Sequence, residues 1–282
     1  MSSPPRTAHA TADHPTGAAS PTPERPARRF EPAVVGAILY REWRVFRQVW
    51  FSTAFGSIVE PIVYFVAFGF GFGALVAEVA GMSYFDFMAT GTIAIGILFS
   101  SVFPGLINGY ARRTEKHLYD GQLAAPVTVA ELVTGESLWH ALRVTVVAGV
   151  TVLVALAFGV RLGPGIVLVA PIAVITGFGF AATGAAFAAK LRSWHGIDII
   201  ISGIIAPMFV VAGTFFPLDG LPRWAELLGY VNPLFHCVEL LRGAAFGFDG
   251  VWLALGHLAA LLAFNLVAWL AALRLVRRAL ID

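Results

Sequence analysis

YFDFMATGTIAIGILFSSVFPGLINGY, residues 84–110, runs for 27 positions with one charged side chain, Asp86, close to its start. About 20 apolar residues suffice to cross a bilayer core as a helix. A helix also bonds its own backbone where no water reaches, so this stretch reads as a membrane span. Five further stretches read the same way: 50–75, 138–160, 166–190, 197–216 and 251–273. Composition agrees, with 58% apolar and 13% charged residues, against about 25% charged in soluble domains. The expected fold is an all-α integral membrane protein with six transmembrane helices.

Residues 1–31 hold six prolines and no apolar run, too little to offset the entropy of ordering. They read as a disordered cytoplasmic tail, with no apolar core of a secretory signal. Over 32–49, Val34, Val35, Ile38, Leu39, Val45, Phe46 and Val49 alternate at helical spacing with Arg41, Arg44 and Arg47, and Trp43 and Trp50 stand beside them. This predicts an amphipathic helix along the inner membrane surface, or else a helical extension of the first span, ahead of a span domain over 50–275 and a short cytoplasmic tail over 276–282. Sixteen of the 19 basic residues then fall on one side of the six spans, against Arg161, Arg223 and Arg242 on the other. That bias places both termini in the cytoplasm. A net charge of +2 gives no reason to expect a nucleic-acid partner.

Catalytic and nucleotide motifs are missing. The two lysines lie in Glu115-Lys116-His117 and Ala189-Lys190-Leu191, so neither completes the Gly-Lys-Ser/Thr of a phosphate-binding loop. No zinc pair, serine elbow or cysteine set is present. Ser202 and His257 are the one pair that a hydrolase inside the membrane could use. The chain is expected to be no enzyme and to bind no cofactor or metal itself.

Two loops carry information. Residues 111–137 predict a short charged helix over 113–119 and, after Pro126, a second helix opened by the capping pair Thr128 and Glu131. Residues 216–248 are too broken by Pro217, Pro222, Asn232 and Pro233 to span, yet too apolar for a solvated loop. They predict short external re-entrant helices between spans five and six, with Asn232 capping the helix that Pro233 begins. Small residues at four-residue spacing, Gly69 and Gly73, then Gly177, Ala181, Ala185 and Ala189, predict closely packed helices, preferentially within one protomer.

At these residues the chain resembles the type-2 ABC exporter permeases. Leu221-Pro222, ten residues, Pro233-Leu234-x-His236, five residues and Arg242 resemble the family's C-terminal signature, within which Asn232 and Glu239 also fall. Pro126-Val127-Thr128-x-x-Glu131-Leu132 with Gly135 resembles its loop between spans two and three. Glu60-Pro61 followed by the glycine-rich 68–73 looks most like the NodJ-like branch, whose members export lipo-oligosaccharide or related glycolipids. The resemblance implies a permease of the bacterial plasma membrane that dimerises with a second protomer, a homodimer being favoured. It also implies two separate cytoplasmic ATPase subunits, with ATP and magnesium bound there. Arg41, Arg44 and Arg47, together with Arg112, Arg113, Glu115, Lys116, His117, Leu118, Tyr119, Asp120, Gly121 and Gln122, would then meet the ATPases.

Glu60 lies about 15 Å into the first span, where a carboxylate normally faces protein or water. It heads a candidate substrate path with Tyr64, Phe65, Phe68, Phe99 and Phe103, which offer rings on which sugars stack. Glu239 and Arg242, one helical turn apart, are expected to pair, and Asn265 to bond across helices. A drug efflux permease of the same family is the alternative. From another class, a secondary transporter would show inverted repeats, and 50–160 does not match 166–273 in this way.

Overall fold

The computed structural model describes residues 29–76, 78–115, 119 and 126–280. The tail expected over 1–31 therefore lies almost wholly outside the described residues, as do Lys116, His117, Leu118, Asp120, Gly121 and Gln122. Helix α1 (Pro32–Tyr64) starts with proline in its first turn and continues as a π turn, Phe65–Phe70. A two-strand hairpin follows, β1 (Glu78–Val79) pairing antiparallel with β2 (Met82–Ser83). Helix α2 (Tyr84–Phe103) is capped by Ser83, whose hydroxyl accepts from the Asp86 N–H, and extends through a π turn at Pro104–Asn108 into α3 (Gly109–Thr114). Helix α4 (Val129–Ala157) opens on the expected capping box, Thr128 and Glu131 each taking the other's backbone N–H. Then come a 3-10 turn (Pro164–Leu168), α5 (Val169–Lys190), α6 (His195–Ile200), a π turn (Ile201–Ile205) and α7 (Ala206–Val210). Two short helices, α8 (Arg223–Val231) and α9 (Pro233–Phe246), precede the long α10 (Val251–Leu280).

Five of these stretches are long and apolar enough to cross a membrane: Pro32–Phe70, Tyr84–Thr114, Val129–Ala157, Pro164–Lys190 and Val251–Leu280. Three expectations change. The segment over 32–49 and the first span form one continuous 33-residue helix, the extension rather than the separate surface helix, in which the buried Glu42 is bonded to Arg112 of α3. The fifth expected span, 197–216, is helical only as the shorter stretch His195–Val210. Gly213 takes φ 70° there, a left-handed conformation that ends a helix, and Thr214 is laid against α2. The C-terminal helix carries through to Leu280, leaving little separate tail after 276.

Helix α5 is the hub. It packs against α2, α4 and α10, while α1 leans mainly on α4. Its small residues make this possible: a Cβ added at Gly184 would lie 2.5 Å from the Val102 carbonyl oxygen, and one at Gly177 only 3.3 Å from Ala141 Cα. Such contacts supply the dispersion energy that holds helices together where lipid offers no hydrophobic drive. A Cβ added at Gly69 would likewise lie 2.6 Å from the Phe85 ring, so both ridges pack inside the protomer. The Asn265 side chain donates to the Ile175 carbonyl at 2.8 Å, tying α10 to α5 as expected. The apolar window of α2 is 67% buried, but that of α1 is 17% and that of α10 is 22%. Broad faces of the two outer helices are therefore left for lipid or another protein.

The signature residues hold the turn after α7. Asn232 accepts from the Leu234 N–H at 3.0 Å and donates to the Met208 carbonyl at 2.5 Å, so it caps α9 and fastens α7 at once. Arg242 pairs with Glu239 at 2.6 Å, donates to the Gly213 carbonyl at 3.0 Å, and lies 4.0 Å over the Phe87 ring. Replacing Asn232 by alanine removes the cap and strands a carbonyl in a nearly closed site. A loss of about 2 kcal/mol is expected, read as a lower melting temperature of the purified protein.

Candidate functional site

Two clusters stand out, one midway along the helices and one at the end that carries most arginines. In the first, Tyr64 stands one turn after Glu60 on α1, and an aromatic ladder follows. Tyr64 and Phe68 both meet Phe215, the Phe68 ring stacking on it with centroids 4.5 Å apart. Phe215 meets Phe209 at 5.7 Å, Phe209 meets Phe99 at 6.0 Å, and Phe99 stacks on Phe103 at 5.0 Å. Four of the five aromatics picked out in the sequence thus join into one wall, linked by Phe209 and Phe215, whereas Phe65 is buried apart from it against Phe85 and Phe158. All six rings are half-buried, a wall backed by protein and open on one face. The proline of Glu60-Pro61 sits inside α1, and its missing N–H loosens the helix just before the π turn that carries Phe68.

The second cluster is a charged lock. The Arg112 guanidinium lies 2.6 Å from Glu136 and 3.0 Å from Glu42, which is 5% exposed. Arg41 reaches Glu42 at 2.6 Å and Glu136 at 3.5 Å. Tyr119 donates to Glu136 at 2.9 Å; burial first, then the Glu136 carboxylate, push its phenol well above its ordinary range. Beside the lock, the Glu131 carboxylate takes the Glu31 N–H at 2.6 Å, joining the start of α1 to that of α4. Arg113 donates to the Ala189 and Leu191 carbonyls, completing the exposed end of α5, and Glu115 accepts from Trp194 at 2.9 Å.

The residues expected to meet an ATPase therefore divide. Arg41, Arg112, Arg113, Glu115 and Tyr119 are engaged inside the protomer, whereas Arg44 and Arg47 are exposed. The short loop helix expected over 113–119 lies mostly outside the described residues: α3 runs to Thr114, and Tyr119, described beyond it, is itself helical. The pairing proposed for a hydrolase is also absent among the described residues: His257 Nδ1 lies 2.8 Å from His236 Nδ1, and Ser202 is exposed on another element.

The profile of the ABC-2 type transporter family matches residues 33–246. The chain belongs to that family. Its relatives include Nodulation protein J of Sinorhizobium fredii (strain NBRC 101917 / NGR234), 27% identical over 246 residues, which are 87% of this chain and 94% of the relative. Nodulation protein J of Bradyrhizobium diazoefficiens is 28% identical over 248 residues, covering 87% and 93%. The inner membrane transport permease YadH of Escherichia coli (strain K12) is 22% identical over 215 residues, covering 76% and 82%. The protein is a multi-pass membrane permease of this family, and the clusters described above are clusters of a transporter.

Sequence reasoning missed Glu42 and Glu136 in the lock and Phe209 and Phe215 in the wall. Glu42 carried a signal, being an acid on a helix otherwise basic on its polar side. The two phenylalanines carried none, since phenylalanine is common in every span.

Proposed function

We propose that the chain is the permease subunit of an ATP-driven exporter of an amphipathic glycolipid, lipo-oligosaccharide or polysaccharide. It would act in the bacterial inner membrane with both termini in the cytoplasm. The near-full-length likeness to Nodulation protein J carries this reading, and the sequence resemblance to the NodJ-like branch supplies the substrate class. Two permease protomers assemble through the apolar faces that α1 leaves open, and two ATPase subunits bind at the basic end through Arg44, Arg47 and the 115–122 loop. The aromatic wall from Tyr64 to Phe103 gives sugar rings a stacking surface, with Glu60 at its head as a hydrogen-bond acceptor. The charged lock ties the loop residue Tyr119 to α1, so a push on the loop reaches the wall.

Affinity capture of the tagged permease from its native membranes, followed by mass spectrometry, tests this. An ABC-type ATPase should co-purify in near-equal amount. It should be lost when Lys116, His117, Leu118, Asp120 and Gln122 are changed to Gly or Ser, which leaves Arg112, Arg113 and Tyr119 in place. Recovery of an intact permease with no ATPase, where a control complex survives the detergent, would overturn the proposal.

A further inference from the structure

Ser57, Glu60, Pro61 and Tyr64 of α1, Thr92 and Gly96 of α2, and Val147 and Thr151 of α4 line one small cleft. Apart from the Tyr64 phenol, its polar content is one-sided. The Ser57 hydroxyl donates to the Thr53 carbonyl at 2.8 Å, Thr92 to Met88 at 2.9 Å, and Thr151 to Val147 at 3.0 Å. A hydroxyl has a single hydrogen, so each of these oxygens can offer the cleft only lone pairs. Thr92 is 2% exposed and Thr151 is 0% exposed, so neither has water as an alternative. Pro61 has no N–H to give the Ser57 carbonyl, which frees a further oxygen on a lining residue. Glu60 lines the cleft as well and adds its carboxylate. No arginine, lysine or histidine lines the cleft.

An enclosure of acceptors with one negative charge, inside a membrane, calls for a cation. Its charge is set by Glu60: a monovalent ion neutralises the site, whereas a divalent ion would leave a net positive charge there. Its size is set by the volume, about 10 Å³, which is room for one water-sized occupant and excludes the ring of an amino sugar. Oxygen-only ligands suit a hard ion. We infer that this cleft is a monovalent alkali-cation site, with the Glu60 carboxylate and the hydroxyl oxygens of Ser57, Thr92 and Thr151 as its ligands. An ion there draws α1, α2 and α4 together at the head of the aromatic wall. Ion binding does not depend on which solute the permease moves, so it stands or falls separately from the exporter reading.

The test uses the full chain in nanodiscs with sodium as the probe and choline as the inert replacement. Radioactive sodium should bind saturably, about one ion per protomer. Replacing choline by sodium at constant ionic strength should raise the melting temperature by about 3 °C or more. Glu60→Gln should abolish both effects, and Thr151→Val should weaken binding about tenfold. Gly96→Ala is the variant that leaves every ligand in place: its methyl would sit 3.8 Å from Thr151 Oγ1 and 3.6 Å from Val147 Cγ1, ordinary contacts that fill the cleft without displacing a helix. It should lose sodium binding while keeping the melting temperature measured in choline, and it decides the matter if Glu60→Gln fails to fold. Absence of saturable sodium or potassium binding in the parent protein, its persistence in Gly96→Ala, or binding of calcium alone would each overturn the inference.

Discussion

Replacement of Arg112 by leucine is expected to cost about 3–5 kcal/mol of stability, a large share of the roughly 5–15 kcal/mol that holds a folded domain together. The arginine stands between two carboxylates, 2.6 Å from Glu136 and 3.0 Å from Glu42, and its side chain is 18% exposed. Breaking a buried ion pair by removing one partner leaves an uncompensated charge, which is why the loss exceeds the net worth of the pair. Here two acids would be left facing each other, with only the half-exposed Arg41 to separate them. Arg41→Leu, whose side chain is 38% exposed, should cost about 1 kcal/mol or less, since exposed pairs are screened by solvent. Adding Glu42→Gln and Glu136→Gln to Arg112→Leu should recover more than half of the loss, because the stranded charges go with it. Thermal unfolding of the detergent-purified variants reads all of this. A loss under 1 kcal/mol for Arg112→Leu, or no recovery in the neutralised triple variant, would mean that the lock contributes little.

The lock also shows where the sequence is legible and where it is not. Features governed by neighbours along the chain could be read directly: the apolar blocks, the Thr128–Glu131 capping box, the Asn232 cap, and the Glu239–Arg242 pair one turn apart. Each needs only helical periodicity and local hydrogen bonding. The partners of Arg112 lie 70 and 24 residues away, and nothing local announces which acid an arginine will meet. The same limit hid Phe209 and Phe215. They reach the wall because Gly213 and the Asn232–Met208 bond fold the end of α7 back toward α1, a consequence of tertiary packing. The lengths of α1 and of the expected fifth span, 197–216, failed for a related reason: an amphipathic pattern does not say whether its polar face meets a membrane surface or a neighbouring helix, and an apolar run does not say where packing will bend it. Of the candidate site, its residue types and four of its six rings were legible. Their assembly was not.

Gly184→Ala should be nearly as damaging as loss of the lock, although it adds one methyl group. The new Cβ would lie 2.5 Å from the Val102 carbonyl oxygen, 2.8 Å from the Leu106 nitrogen and 3.0 Å from the Gly105 carbonyl carbon. All three are backbone atoms, so no side chain can turn aside. Relief requires α5 to move away from the π turn at Pro104–Asn108, and α5 is the helix on which α2, α4 and α10 all pack. The approach is reciprocal, since a Cβ at Gly105 would lie 2.5 Å from the Ala181 carbonyl oxygen. The two glycines therefore form one interlocked crossing, and their losses should be less than additive. Overpacking a rigid core costs about 1–3 kcal/mol and more where only backbone can yield, which places Gly184→Ala at the upper end, about 3 kcal/mol. Gly149→Ala supplies the opposite sign: a Cβ there meets nothing within 4 Å, and alanine in a helix interior is favoured over glycine by about 0.5–1 kcal/mol. Melting temperature and monodisperse yield after size exclusion should fall for Gly184→Ala and hold or rise for Gly149→Ala. Equal behaviour of the two would mean that the backbone approach at Gly184 does not limit how closely α5 seats against α2.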